Sequence, residues 1–259
     1  INGMRRWAEN RGYKLQLISI NYADIGLPQR RFRLFFIFTK VEIKITEDDF
    51  DRSIITVKDA ISDLEHQPLG DKPYGYMPDT EYQASLRGVA VALNKAICTD
   101  HVAAQVWHKN VKMVKHIKVG KGMSDVSYAH LPGYLRKKYD KKAKGLVDWM
   151  PGWGGMIRLD YDQPCRTIIG GPMYLHPKLD RLLTIRETAR LTGIPDAYNF
   201  CLESGTKSSI GRAYRWLGKG VPVQAGRWLG KVLVRALDEN KRAVDHKLMD
   251  FRRWDKEED

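Results

Sequence analysis

Hydrophobic and polar positions alternate near the start of the chain. Tyr13-Lys-Leu-Gln-Leu-Ile-Ser-Ile20 has period two, and Leu34-Phe-Phe-Ile-Phe38 is an apolar run of buried-strand length. Before them, Met4, Trp7 and Ala8 line one face of a helix predicted over residues 2–11, with Gly12 where a C-terminal cap belongs. Helix, strand, turn, strand is the unit that closes the end of an α/β sheet, and the alternation of Val41-Glu-Ile-Lys-Ile45 extends the second strand. Asp48 and Asp49 mark a loop, and Thr56-Val-Lys-Asp59 predicts a helix start from a hydroxyl cap and a carboxylate three residues on. Residues 67–80, rich in Pro, Gly and Asp, read as loop, and Leu86, Val89, Ala90 and Leu93 recur at helical spacing.

Later in the chain, Pro151–Gly155 predicts a bend, and Arg158–Gly171 reads as strand, turn, strand and glycine loop. Thr184-Ile-Arg-Glu187 is a second capping box, opening a helix that runs to about Thr192 and stops at Gly193 before Pro195. Glu203–Ser209 reads as a polar loop and Leu217–Val223 as a glycine-rich turn. The turn precedes a helix with Trp228, Leu229, Val232, Leu233 and Ala236 on its apolar side; a charged helical tail begins at Asn240 and frays over 255–259.

Charge changes this picture. The chain has 259 residues, 43% hydrophobic, and a formal net charge of +13, which describes a globular protein with a polyanionic partner. Much of the excess lies beyond Gln105: Lys109, Lys112, Lys115, Lys118 and Lys121, then a second cluster from Arg136 to Lys144, face only Asp125 and Asp140. Trp107, His108, Tyr128, Tyr134 and Tyr139 are interleaved, and basic density with aromatics is the footprint of a surface that tracks a nucleic-acid backbone.

Cys98, Cys165 and Cys201 are widely separated, an intracellular thiol pattern with neither a disulfide framework nor a zinc site. His101, His108 and His116 approach metal-ligand spacing with no carboxylate or thiol to complete a set, so no metal is expected. No apolar run reaches the length of a membrane span. The first residue is isoleucine and no strand or glycine-rich loop precedes the first helix, which suggests a piece of a longer protein or a processed chain.

Between Gly26 and the apolar run sit Gln29, Arg31 and Arg33, spaced Q-x-R-x-R. Extended backbone would point all three the same way, a planar guanidinium pair beside an amide, suited to phosphate and base-edge oxygens. The stretch D-I-G-L-P-Q-R-R-F-R-L-F-F-I resembles motif VIII of the DNA cytosine-5 methyltransferases. Arg158 to Phe200 resembles motif IX and the family's next segment, through R-L-D-x-D-x-P-x-x-T, then H-P, then R-x-L-T-x-R-E-x-A-R-L-x-G-x-P-D-x-Y-x-F. Leu217 to Val223 is similar to motif X, with Lys219 in place of the usual asparagine, and the basic region lies where this family keeps its target recognition domain.

The resemblance implies an α/β fold class: the end of a Rossmann-like methyltransferase sheet, an irregular mixed α+β target recognition domain and C-terminal helices. The expected segments are 1–45, the closing strands of the catalytic domain; 46–180, the recognition region including motif IX; and 181–259, helices and motif X returning to the catalytic domain. In the family, a cysteine thiolate adds to C6 of a flipped cytosine, a glutamate contacts N3, and S-adenosylmethionine gives its methyl group to C5. By resemblance Gln29, Arg31 and Arg33 support catalysis by holding the flipped nucleotide and its phosphate, Arg33 most directly. Lys219, Gly220 and Val221 lie near the methyl donor. Arg158, Thr167, Gly170 and Gly171, with Lys109, Lys112 and Lys115, bind DNA.

The F-x-G-x-G, P-C-Q and E-N-V segments that precede motif VIII in the family have no counterpart in this sequence. Pro164-Cys165 is followed by Arg166-Thr167 and falls in motif IX, so Cys165 reads as a buried small residue. The expectation is the C-terminal part or a subunit of a DNA cytosine-5 methyltransferase, inactive alone and completed by a companion chain or an N-terminal segment carrying motifs I to VI. Double-stranded DNA is the expected partner, in a restriction-modification setting, cytoplasmic and nucleoid-associated. The alternative is a non-catalytic DNA-binding module descended from such an enzyme, with an RNA substrate a weaker option.

Overall fold

The computed structural model describes residues 1–51, 53–92, 97–145, 155–202 and 207–254, of which 89–92 and 242–254 are described as backbone alone. Leu93, the bend expected at residues 151–154, the polar loop at 203–206 and the tail at 255–259 lie outside the described residues. The chain forms two compact units. Unit 1 comprises Ile1–Gly26, Arg31–Ser53 and Val223–Asp259; unit 2 comprises Leu27–Arg30 and Ile54–Pro222.

Unit 1 is built on α1 (Asn2–Glu9), β1 (Lys14–Asn21) and β2 (Phe32–Thr39). The strands pair antiparallel from Lys14 opposite Thr39 to Asn21 opposite Phe32. This register puts Leu15 and Leu17 on one face with Phe38, Phe36, Leu34 and Phe32, and puts Ile18 and Ile20 on the other. Ile18 and Ile20 are buried, as are Ala225, Trp228, Val232 and Ala236 of the long helix that closes the unit. The apolar run expected to be buried instead exposes alternate residues, Leu34, Phe36 and Phe38, because the hairpin has one covered face. Val41–Ile45 does not extend β2: the Gln16 side chain takes both the Ile43 N–H and C=O, at 3.0 and 3.1 Å.

Unit 2 holds α2 (Val57–Ile61), β3 (Lys72–Pro73), α3 (Glu81–Ala92), β4 (Ile97–Cys98), α4 (Val111–Val114), α5 (Gly133–Ala143), β5 (Ile157–Arg158), β6 (Tyr174–Leu175), α6 (Ile185–Leu191) and α7 (Lys207–Lys219). The helix that closes unit 1 is α8 (Val223–Trp254). The two sheets of unit 2 are pairs of two-residue strands, β3 antiparallel to β4 and β5 parallel to β6. The second strand expected in Arg158–Gly171 reduces to one bridge between Cys165 and Gln29.

Helices organise this unit, and two of them start at capping boxes read from the sequence. Thr56 accepts from the Asp59 N–H at 3.2 Å, and Thr184 from the Glu187 N–H at 3.0 Å. The lysine-rich segment has its own core, in which Met113, Val114, Ile117, Leu131 and Leu135 pack with Met156, Leu175 and Leu182. Its apolar side is spent on that core, which leaves the lysines outside. The fold is mixed α/β with small sheets and several helices. No helix among the described residues is long and apolar enough to cross a membrane.

Candidate functional site

Within unit 2, the three segments singled out in the sequence meet. Leu27–Arg30 lies along the segment after Pro164: the Cys165 N–H donates to Pro28 O, the Arg30 N–H to Cys165 O, and Thr167 Oγ1 to Arg30 O at 3.0 Å. Gln29 is fully buried between them. Its Nε2 donates to Leu191 O at the end of α6 (3.2 Å), and its Oε1 accepts the Ile168 N–H (3.2 Å). One amide therefore ties the first segment to the second, using a donor and an acceptor that no single charged group offers. Two residues on, the exposed glycine loop receives the end of α7. A Cβ on Gly218 would sit 2.3 Å from Gly170 N and 2.4 Å from Ile169 C, so only glycine permits this approach.

α6 braces this junction. Glu187 takes two hydrogen bonds from Arg181, at 2.8 and 2.7 Å, and one from the Thr184 N–H. Burial acts to raise its carboxyl pKa, but the Arg181 hydrogen bonds and charge overcome that and hold it at about 2. His176 lies nearby, its Nδ1 accepting the Lys178 and Leu179 N–H groups and its Nε2 3.3 Å from Tyr161 Oη. This fixes the neutral tautomer with hydrogen on Nε2, and burial pushes the pKa down to about 4 against the attraction of Glu187. Arg190 is paired with Asp196 and Asp63, and Arg186 with Asp100.

Several expected site residues serve this packing. Arg158, read as DNA-facing, is 5% exposed, and its guanidinium donates to the carbonyls of Ile117, His176, Leu179 and Val114 and to Asp180. Five acceptors within the chain leave it staple rather than contact. Cys165 is buried, and burial pushes its thiol far up, the reverse of what a nucleophile needs. Gln29 and Arg31 precede β2, so the shared face expected of Q-x-R-x-R does not form along a strand. In unit 1, Arg31 is buried with its guanidinium 6.0 Å from the Tyr22 ring centre, and Arg33 is half-buried, donating to Phe32 O.

The remaining candidates are accessible. Lys109, Lys112 and Lys115 are exposed, with Lys109 Nζ 5.0 Å from the centre of the Trp107 ring. Lys219 closes α7, Gly220 bonds back to Trp216 O at 2.8 Å, and Val221 is exposed. Sequence reasoning missed α7 itself, although Ile210, Ala213, Tyr214 and Leu217 recur at helical spacing and are buried. Opposite them, Arg212, Arg215, Trp216 and Lys219 form an exposed basic and aromatic stripe whose Arg215 backbone borders Gly170.

Comparison with known proteins is consistent along the chain. The family model for C-5 cytosine-specific DNA methylase matches residues 3–235. The rice DNA (cytosine-5)-methyltransferase 1A is 27% identical over 89% of this chain and 17% of its own length. DNA (cytosine-5)-methyltransferase 4 of Arabidopsis thaliana is 31% identical over 71% of this chain and 12% of its own. The type II methyltransferase M.DdeI of Desulfomicrobium norvegicum is 27% identical over 82% of this chain and 52% of its own. The chain thus spans about half or less of each of these three relatives. A solved Escherichia coli structure, described as a DNA modification methyltransferase encoded within a prophage, superposes with a TM-score of 0.61 at 20% identity, covering 91% of this chain and 65% of that one. It shares the fold. With a family model matched over most of its length, the chain belongs to the C-5 cytosine-specific DNA methylase family.

Proposed function

We propose that the chain is the part of a DNA cytosine-5 methyltransferase spanning motifs VIII to X. It binds double-stranded DNA and supports the S-adenosylmethionine-dependent methylation of a flipped cytosine. The observation that carries this reading is the junction in unit 2, where Gln29 bonds Ile168 and Gly218 closes on Gly170. Segments far apart in sequence, each resembling a motif of one family, are held together by a buried amide and a glycine contact. Gln29 and the buried Arg31 are then positioning residues, and the half-buried Arg33 carries the polar support of the target nucleotide.

DNA lies, in this reading, against Lys109, Lys112 and Lys115, against the glycine loop at Gly170 and Gly171 beside Thr167, and against the exposed stripe of α7. Arg158 acts by holding the β5 end of this surface in place. S-adenosylmethionine, the methyl donor of the family, supplies an electrophilic methyl group. Gly220 and the exposed side chain of Val221 suit an apolar wall beside it, with Lys219 at the rim. They form one wall of a site whose remainder belongs to the segments with P-C-Q, E-N-V and F-x-G-x-G, on a companion chain or an N-terminal segment. The type II methyltransferases among the relatives support a restriction-modification setting, and action at the nucleoid is part of the same proposal. Lys219, standing where the family has asparagine, favours a second reading, a DNA-binding module without catalysis.

Binding is tested by replacing Lys109, Lys112 and Lys115 together with glutamine and titrating mixed-sequence duplex DNA across a range of salt. Each phosphate contact contributes about 0.9 to the slope of log K against log salt, so the slope is expected to fall by roughly 2 to 3. An unchanged affinity and slope would remove these lysines from the interface.

A further inference from the structure

Residues 102–108, Pro172 at the end of the glycine loop and one side of α7 enclose a cleft of about 710 Å³ in unit 2. That lies within the range of roughly 300 to 1,000 Å³ that small-molecule sites occupy. Its walls are tied together, because Tyr214 of α7 accepts the Ala104 N–H at 3.4 Å and donates to Leu183 O. Val102, Ala104 and Ile210 give the lining an apolar floor. Gly211 keeps the α7 side open, since a Cβ there would meet nothing within 4 Å.

Trp107 forms part of the wall and is 48% exposed. Its ring meets Tyr134 at 5.0 Å, and the Tyr134 hydroxyl donates to Asn110 Oδ1 at 2.7 Å. A large aromatic surface is thus held in place without being buried. Lys207 lines the cleft and Lys109 Nζ lies 5.0 Å from the centre of the Trp107 ring, while no carboxylate is found in the lining among the described residues. An apolar floor, an exposed indole and ammonium groups beside it select a flat ring that carries negative charge, which is the chemistry of a nucleotide. Position indicates where that nucleotide comes from. Lys109, Lys112 and Lys115 follow Trp107 in the chain, and Gly170 and Gly171 lead into Pro172. Both stretches assigned to DNA therefore run into the walls of this cleft.

We propose that the cleft between residues 102–108 and α7 takes up one unstacked nucleotide of the bound DNA, its base against Trp107 and its phosphate against Lys207 and Lys109. The inference rests on the reading of the chain as a DNA-binding part of a cytosine-5 methyltransferase, and goes beyond it in naming a nucleotide site. Arg33, which supports the target nucleotide in that reading, belongs to unit 1 and lines no part of this cleft.

Unstacking is easiest for a base without a partner, so the test uses a labelled duplex with one bulged deoxyadenosine and the same duplex fully paired. Binding of the full chain to each is measured by fluorescence anisotropy. The bulged duplex is expected to bind at least about fivefold more tightly, the low end of what stacking one base on an aromatic ring contributes. Trp107→Ala removes the stacking surface, and Gly211→Leu fills the cleft from α7 with the indole left in place. Each is expected to bring the ratio to about one. The ratio is taken within each variant, so a general loss of DNA affinity does not mimic the result. Circular dichroism reports folding, and Gly211→Leu decides alone should Trp107→Ala fail to fold. Equal binding of both duplexes by the unaltered chain, or a preference that survives in either folded variant, would overturn the cleft and leave the DNA-binding reading standing. Binding of neither duplex would overturn both. Tight binding of free deoxyadenosine 5′-monophosphate without a preference for the bulge would assign the cleft to a free nucleotide and overturn the proposal.

Discussion

In unit 2, α6 buries all seven of its residues, Arg186, Glu187 and Arg190 among them; in unit 1, β2 leaves Phe32, Leu34, Phe36 and Phe38 in solvent. Charges lie inside and aromatic rings outside, the reverse of what hydropathy alone assigns. The difference lies in the partners. Each buried arginine of α6 finds carboxylates or carbonyls within the same unit, so desolvation is offset on the spot. A two-stranded sheet has two faces to cover, and beyond the Trp7 contact at one end the outward rings of β2 lack cover among the described residues. Unit 2 is complete in its own contacts at this point, whereas unit 1 leaves one apolar sheet face uncovered among the described residues.

Breaking the buried side of the comparison should cost most. Glu187→Ala leaves Arg181 without its bidentate partner and the Thr184 N–H without its cap, and is expected to destabilise the chain by roughly 3 to 5 kcal/mol. Urea unfolding measures this, and a loss below about 1 kcal/mol would show the network to be dispensable. Leu34→Asp, on the open face, should change the same midpoint by less than about 0.5 kcal/mol.

Gly218→Ala comes next, because the new methyl would overlap Gly170 backbone rather than a flexible side chain. A loss of about 1 to 3 kcal/mol is expected, with weaker DNA binding as the glycine loop shifts. Gly211→Ala on the same helix, where a Cβ meets nothing within 4 Å, is the control and should be neutral or slightly stabilising.

The buried side of the comparison is also sensitive to pH. The folded-state pKa of His176 is pushed down to about 4, so between about pH 6.5 and 4 the unfolded chain takes up a proton that the folded chain refuses. Stability should fall as pH drops through that window, by on the order of 2 kcal/mol at pH 5. Glu187, held at about 2, extends the loss below pH 4.5 as its carboxylate is protonated. Asp63 and Asp100, raised by burial, oppose it there. His176→Asn keeps an acceptor for the Lys178 and Leu179 N–H groups and should flatten the profile above pH 5; an equally steep profile in that variant would move the effect elsewhere.

Local grammar was readable in the sequence. The capping boxes at Thr56 and Thr184 and the alternation of β1 depend on residues within a few positions of each other, and each formed as expected. What failed depended on distant partners. Arg158 looks like a DNA contact until four carbonyls and Asp180 surround it, and the acceptor and donor of Gln29 lie 139 and 162 residues from their partners. α7 was obscured by its glycines: Leu217-Gly-Lys-Gly reads as a turn, yet the helix runs through Lys219 because Gly218 serves contact rather than bending. Of the candidate site, residue types were readable from the motifs, but not the division between those that face solvent and those that hold the segments together.

The most direct test is transfer of a labelled methyl group from S-adenosylmethionine to mixed-sequence duplex DNA. The chain would be assayed alone and with the polypeptide bearing P-C-Q and E-N-V. No transfer is expected from the chain alone, and transfer is expected when the companion is added, unchanged by Cys165→Ala because that thiol is buried and held protonated. Transfer by the chain alone that disappears with Cys165→Ala, Cys98→Ala or Cys201→Ala would contradict this, and would place the nucleophile within these 259 residues.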